Sequence, residues 1–152
     1  MTKESSHDAD GTTGQRIIVG VDGSPPSQAA FRWAVRQTRL TGGRVCAVTA
    51  WRYPVAYGYP VPISPLSSAE EIAERVLRTA TDEIEQEPGE PVTISGKIVE
   101  GNAAKVLLEE SQDADLLVIG SRGHGGFAAA LLGSTGQHCV HYATCPVVVI
   151  RG

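Results

Sequence analysis

The segment from residue 120 to 135, GSRGHGGFAAALLGST, has the composition of a phosphate-binding loop. Its glycines allow backbone N–H groups to converge without interference from Cβ atoms. Ser134 and Thr135 follow at the predicted start of a helix, where unpaired amides and the positive end of the dipole attract anions. The segment therefore predicts a site for a phosphorylated ligand, and a flexible connector is the alternative interpretation.

A second candidate is Asp22, which follows the apolar run RIIVGV and precedes Gly23-Ser24-Pro25-Pro26. A contact between its short carboxylate and a ligand is one interpretation. Aspartate also commonly forms an Asx turn in this position. Taken alone, the residue favours the turn, and the two interpretations remain open.

A group of possible metal ligands lies near the C-terminus of the chain, at His138, Cys139, His141 and Cys145. Their spacing does not match the paired ligands of a zinc finger. Thiol redox chemistry is also disfavoured, because there is no CxxC motif and Cys46 lies in an apolar strand. We therefore assign no metal ligand and no catalytic residue.

The elements that position these residues alternate regularly between short apolar strands and helices. This pattern is typical of a parallel sheet covered on both faces. The predicted fold class is α/β, a single doubly wound five-stranded parallel sheet of order 3-2-1-4-5 with helices on both faces. The predicted strands are 16–21, 44–50, 92–99, 115–119 and 147–150.

Four helices are predicted between these strands. The first is 26–40, and its apolar residues Ala30, Trp33, Ala34 and Leu40 lie on overlapping faces. The second starts after Ser67 or Ser68, which with Glu70 and Glu71 resembles a capping box, and ends before Pro88. Its apolar residues recur every fourth position, at Ile72, Val76, Ala80 and Ile84. The third is a short helix capped by Asn102, and the fourth is 134–142.

Doubly wound sheets bind ligands beyond the carboxyl ends of their strands, where the winding direction reverses. In this strand order the reversal lies between the first and the fourth strand. The turn at Asp22 and the glycine-rich segment follow those two strands, so both are expected at one crevice. The proline- and tyrosine-rich segment 51–65 is expected to be a surface loop.

The length and composition limit the number of domains and the classes of function that this chain can have. The 152 residues fit one domain, expected at 15–152, after a polar N-terminal tail at 1–14 that is expected to be disordered. A net charge of -4 without a Lys/Arg cluster argues against a nucleic-acid partner. No run reaches the roughly 18 apolar residues that span a bilayer. With three cysteines and no secretory signal, the expected location is the cytoplasm, without membrane contact.

The glycines follow the pattern GxxG, nine residues, then Gly-Ser, at Gly120, Gly123, Gly133 and Ser134. In this spacing after a fourth strand, the pattern resembles the ATP-binding motif of the universal stress protein family. The resemblance covers about residues 16–151 and includes VGVDGS, EGNAAKVLLEES and CPVVVIR. The chain is thus identified as similar to the ATP-binding subclass of that family.

The resemblance implies a nucleotide-dependent regulatory or stress-response module that binds ATP, with Mg²⁺ held through the phosphates. It further implies a homodimer formed through the C-terminal strand, residues 147–150, and an unidentified protein partner. A slow ATPase or autophosphorylating enzyme and a nucleotide-free dimeric scaffold are the alternatives. The implied nucleotide-binding residues are Gly20, Val21, Asp22, Ser24, Ala50, Gly120, Ser121, Arg122, Gly123, His124, Gly125, Gly133, Ser134 and Thr135.

Overall fold

The structure, a computed structural model, describes residues 14–53, 55–56, 59–60, 68–122 and 132–152. Five parallel strands form its main sheet: β1 (Gln15–Gly20), β2 (Gly43–Trp51), β5 (Thr93–Glu100), β6 (Leu116–Gly120) and β7 (Val147–Ile150). They lie in the order β5-β2-β1-β6-β7. Counted among these five, the order is 3-2-1-4-5, which confirms the predicted topology.

Helices cover both faces of this sheet, as predicted. One face packs against α1 (Pro25–Thr41) and α2 (Ala69–Glu85), and the other against α3 (Ala103–Glu110) and α4 (Ser134–Tyr142). Side chains of each strand alternate between the two layers: Ile17 and Val19 contribute to the first core cluster and Ile18 to the second. All three are fully buried, as expected of a central strand covered on both sides.

Three of the four helices in the described residues begin with a polar side chain that accepts a backbone N–H. Ser24 caps α1 and is followed by two prolines at the first two helical positions, and Asn102 caps α3. The start of α2 is a complete capping box between Ser68 and Glu71, in agreement with the sequence prediction. The fourth helix, α4, follows Gly133 and has no side-chain cap.

Some details of the prediction are wrong. Leu40 was expected on the inner face of α1 but is 82% exposed, because it lies two residues, or about 200°, beyond the buried Thr38. Ile72, at the first position of the apolar repeat in α2, is 41% exposed. Trp51 ends β2 instead of beginning a loop, and residues 55–56 (β3) and 59–60 (β4) pair as a short antiparallel ladder outside the main sheet.

The predicted N-terminal tail lies outside the described residues, except for Gly14. Gly14 adopts a positive φ of 96° and packs closely against the backbone of Gly42 and Gly43. Among the helices that the structure describes, none is long and apolar enough to cross a membrane.

Candidate functional site

A cavity of about 320 Å³ opens at the carboxyl ends of the strands, between β1 and β6. This is the switch point of the sheet, where the order of the strands reverses. Its volume lies at the lower end of the range typical of small-molecule sites. Strand β1 provides Gly20 to its wall, strand β6 provides Gly120, and helix α4 provides its first turn.

The β2 side of the cavity is apolar. Val48 and Ala50 are two residues apart on β2, so they share the face that α3 covers, where Ala103 and Leu107 close the cavity from above. Val48 is 1% exposed, and its carbonyl accepts the amide of Val21 at 2.9 Å. This end can therefore receive a flat apolar group such as a nucleobase.

The turn after β1 brings the Asp22 carboxylate to the cavity wall. Its Oδ1 accepts the backbone N–H of Ser24 at 2.9 Å and the Ser24 hydroxyl at 2.5 Å. The Asx turn considered from the sequence is therefore present. It does not exclude ligand binding, because Asp22 is exposed on the cavity side of the turn while Ser24 is buried.

The β6 side of the cavity gathers backbone donors. The amide of Gly133 donates to the carbonyl of Ser121 at 2.8 Å, which brings together the two ends of the glycine-rich segment. The first intrahelical bond of α4 runs from Gln137 N–H to the Gly133 carbonyl at 2.9 Å. The amides of residues 134–136 precede that bond in the helix, and these residues line the cavity together with Arg122. The partial charge here is positive.

Two helices start near the switch point, and only one of them is suited to an anion. Helix α1 begins with Pro25 and Pro26, which have no N–H, and Ser27 N–H donates to the Ser24 hydroxyl at 3.3 Å. Helix α4 has neither proline nor a capping side chain in this position. The start of α4 is therefore the anion-binding end of the cavity.

Ten of the fourteen residues assigned to the site from the sequence line this one cavity. They are Gly20, Val21, Asp22, Ala50, Gly120, Ser121, Arg122, Gly133, Ser134 and Thr135. Ser24 lies directly behind Asp22 and lines a neighbouring groove between α1 and α2. Gly123, His124 and Gly125 lie outside the described residues.

The structure adds residues that the sequence analysis missed: Ser27, Val48, Ala103, Leu107, Ile119 and Gly136. Two of them could have been found from the periodicity of their elements. Val48 is two residues before Ala50 and so lies on the same face of the strand, and Leu107 is one helical turn after Ala103. The position of Ser27 depends on how α1 begins, which the sequence pattern does not determine.

The cysteine and histidine group does not form a site in the described part of the chain. No cluster of three or more His, Cys, Asp or Glu side chains there could hold a metal ion. Burial raises the pKa of the Cys139 thiol to about 11, with a further contribution from Cys145, so this thiol is protonated at neutral pH. A zinc ligand or a nucleophile would need the thiolate.

Comparison with known proteins agrees with this arrangement. The sequence model of the universal stress protein family matches residues 14–151. The universal stress protein Rv2623 of Mycobacterium tuberculosis is 34% identical over 145 residues, which are 93% of this chain and 49% of the relative. The chain thus spans about half the length of the curated relatives that it matches.

Solved structures show the same fold. The universal stress protein UspA from Lactobacillus plantarum superimposes with a TM-score of 0.70 at 23% identity, covering 90% of this chain and 97% of that one. A universal stress protein in complex with cAMP has a TM-score of 0.65 at 25% identity, covering 90% and 96%. One from Archaeoglobus fulgidus in complex with dAMP has a TM-score of 0.64 at 22% identity, covering 90% and 97%.

Fold and site together define a doubly wound α/β protein with a ligand cavity at its switch point. The family match covers nearly the whole described chain. The chain belongs to the universal stress protein family.

Proposed function

We propose that residues 15–152 form a single adenine-nucleotide-binding domain that acts as a nucleotide-dependent regulatory module in a stress response. The observation that carries the proposal is the order of the cavity walls. An apolar surface on β2, a carboxylate on the turn after β1, and helix amides that have no partner within α4 follow one another across the sheet. The base, the sugar and the phosphates of a nucleotide follow in the same order.

The spacing of the walls supports this assignment. Neighbouring strands lie about 4.8 Å apart, so roughly 10 Å separate β2 from β6. In our proposal the base packs on Val48 and Ala50, and the sugar hydroxyls donate to Asp22. The phosphates accept from the amides at the start of α4. The cAMP and dAMP complexes of the structural neighbours also favour an adenine nucleotide.

The physiological ligand that we propose is ATP with Mg²⁺. Arg122 and the hydroxyls of Ser134 and Thr135 would contact the outer phosphates, together with the glycines of the 120–135 segment. Since the described residues contain no cluster that could bind a metal by itself, the phosphate oxygens would provide most of the Mg²⁺ ligands. Bound nucleotide would then bias the conformation of the loops that flank the cavity, and thereby the interaction with a protein partner.

We also propose a homodimer formed through β7. The two edge strands of the sheet differ in composition. The edge strand β5 carries Lys97 and Glu100, charges that discourage pairing, whereas β7 reads VVVI and its four side chains are only partly buried. An uncharged edge strand of this kind is stabilised by pairing with a second copy. The three free cysteines suit a cytoplasmic location for this assembly.

Nucleotide binding is tested by mass spectrometry of small molecules that co-purify with the protein, followed by calorimetric titration with ATP, AMP and cAMP. We expect Asp22→Ala to weaken binding at least tenfold, because a hydrogen bond to a charged group is lost (about 1.5–3 kcal/mol). Asp82→Ala, which removes an exposed carboxylate of α2 far from the cavity, is the matched control. Absence of binding at millimolar ATP and Mg²⁺ would refute the proposal.

The same preparation separates a binding module from a slow ATPase. Stoichiometric ATP that is retained for hours supports a binding module. Steady release of ADP that is lost in His124→Ala would favour the enzyme instead, since His124 is one of few groups predicted near the terminal phosphate.

A further inference from the structure

A ring of hydrogen bonds connects the carboxylate of Asp22 to the first turn of α1. The Ser24 hydroxyl donates to Asp22 Oδ1 at 2.5 Å and accepts from Ser27 N–H at 3.3 Å. The Ser27 hydroxyl accepts from Asp22 N–H at 3.2 Å and donates to the Ser24 carbonyl at 3.1 Å. Both serine side chains therefore use their hydroxyls as donor and as acceptor.

Burial distinguishes the members of this ring. Ser24 and Ser27 are 3% and 5% exposed, whereas Asp22 is exposed. Both serine side chains are thus almost entirely shielded from solvent, so water competes little for their hydrogen bonds. Pro25 and Pro26 restrict the backbone φ between the two serines, so the ring has little freedom to rearrange.

We propose that Ser24 and Ser27 are positioning residues that hold the Asp22 carboxylate in the orientation that the sugar of the nucleotide requires. This inference rests on the proposed function. A carboxylate on a turn can rotate about χ1 and χ2, and fixing it before the ligand arrives lowers the entropy cost of binding. In Ser24→Ala, Asp22 keeps the amide hydrogen bond from residue 24 but loses the short one from the hydroxyl.

The inference predicts a dependence on the sugar that a purely structural role would not produce. A ligand with ribose hydroxyls uses the Asp22 carboxylate, and a ligand without them does not. Loss of the Ser24 hydroxyl should therefore weaken the binding of the first ligand and leave the affinity for the second unchanged. AMP and 2′,3′-dideoxyadenosine monophosphate form such a pair, because they share base and phosphate.

Calorimetric titration of both ligands against the full chain tests this. We expect Ser24→Ala to lower the affinity for AMP about tenfold, which is equivalent to one hydrogen bond to a charged group. The affinity for dideoxy-AMP should fall by less than twofold. Ser24→Thr, which keeps the hydroxyl, should restore AMP affinity. Ser68→Ala is the matched control, because it removes the serine cap of α2 away from the cavity. It should lower stability without changing either affinity.

Glycine is tolerated as an N-cap, so Ser24→Gly gives the same comparison if Ser24→Ala does not fold. Equal weakening of both ligands, or no weakening of AMP, in a folded variant would overturn the positioning role while leaving nucleotide binding intact. A wild-type protein that binds neither ligand would instead overturn the proposed function, and the positioning role with it.

Discussion

The substitution Gly120→Ala tests how closely the end of β6 approaches the start of α1. A Cβ atom built on Gly120 would lie 2.6 Å from the Pro26 carbonyl carbon and 2.8 Å from its oxygen, whereas ordinary contacts begin at 3.4 Å. The obstructing atoms are two backbone atoms and the ring carbon Cβ of Pro26, so no side chain can rotate away. Either the first turn of α1 or the end of β6 must move by several tenths of an ångström.

Overpacking of this kind costs about 1–3 kcal/mol. For a domain of this size, each kcal/mol lowers the Tm by roughly 2–4 °C. Since Gly120 and the turn before α1 both line the cavity, we also expect weaker nucleotide binding. Urea denaturation with calorimetric titration of AMP measures both effects.

Gly96→Ala is the matched control for this prediction. Gly96 lies on β5, and a Cβ there would be 3.0 Å from Leu77 Cδ2, the flexible end of a side chain. We expect little loss of stability and unchanged affinity. If Gly120→Ala is as stable as the wild type, with an unchanged midpoint and m value, the close approach of β6 to α1 is wrong.

Three further predictions concern stability and assembly. Burial raises the pKa of Cys139 from 9.0 to about 11, so the stability linked to its protonated thiol should be complete below pH 9 and lost as the pH rises to 11. Between these pH values, denaturation curves should show the wild type losing about 2–3 kcal/mol more than Cys139→Ala. Asn102→Ala removes the cap of α3 and should cost about 1 kcal/mol, measured by urea denaturation. Val149→Pro should yield a folded monomer in sedimentation experiments, because the N–H of Val149 faces the free edge of β7. Val148→Pro should unfold the protein, because the N–H of Val148 faces β6. A dimeric Val149→Pro variant would contradict pairing through β7.

The sequence pattern predicted most of the local structure, and for clear physical reasons. Helix α4 and strand β7 match their predicted bounds, because a glycine loop and Cys145-Pro146 delimit them. The capping box of α2 was predicted because its two residues, Ser68 and Glu71, are only three positions apart and interact locally. The predicted inner position of Leu40 was wrong. A shift of two residues along a helix turns a side chain by about 200°, which is enough to move it from the core to the solvent.

The position of the site could be predicted from the strand order, because doubly wound sheets bind ligands where the winding direction reverses. From the sequence, Asp22 and Gly120 were separate candidates almost a hundred residues apart. The structure brings both to one cavity wall. It also shows that Asp22 forms a turn and faces the cavity at once, an outcome that the sequence presented as two alternatives.

By itself, the sequence determined the alternation of strands and helices, the strand order, the family resemblance and the two loops that carry the chemistry. All of these depend on local patterns or on motifs that are contiguous in the chain. Tertiary structure alone decided that Val48 and Leu107 complete the cavity and that the end of β6 at Gly120 lies against the backbone of Pro26. These features depend on distances between segments that are far apart in the chain, which residue types and local periodicity do not specify.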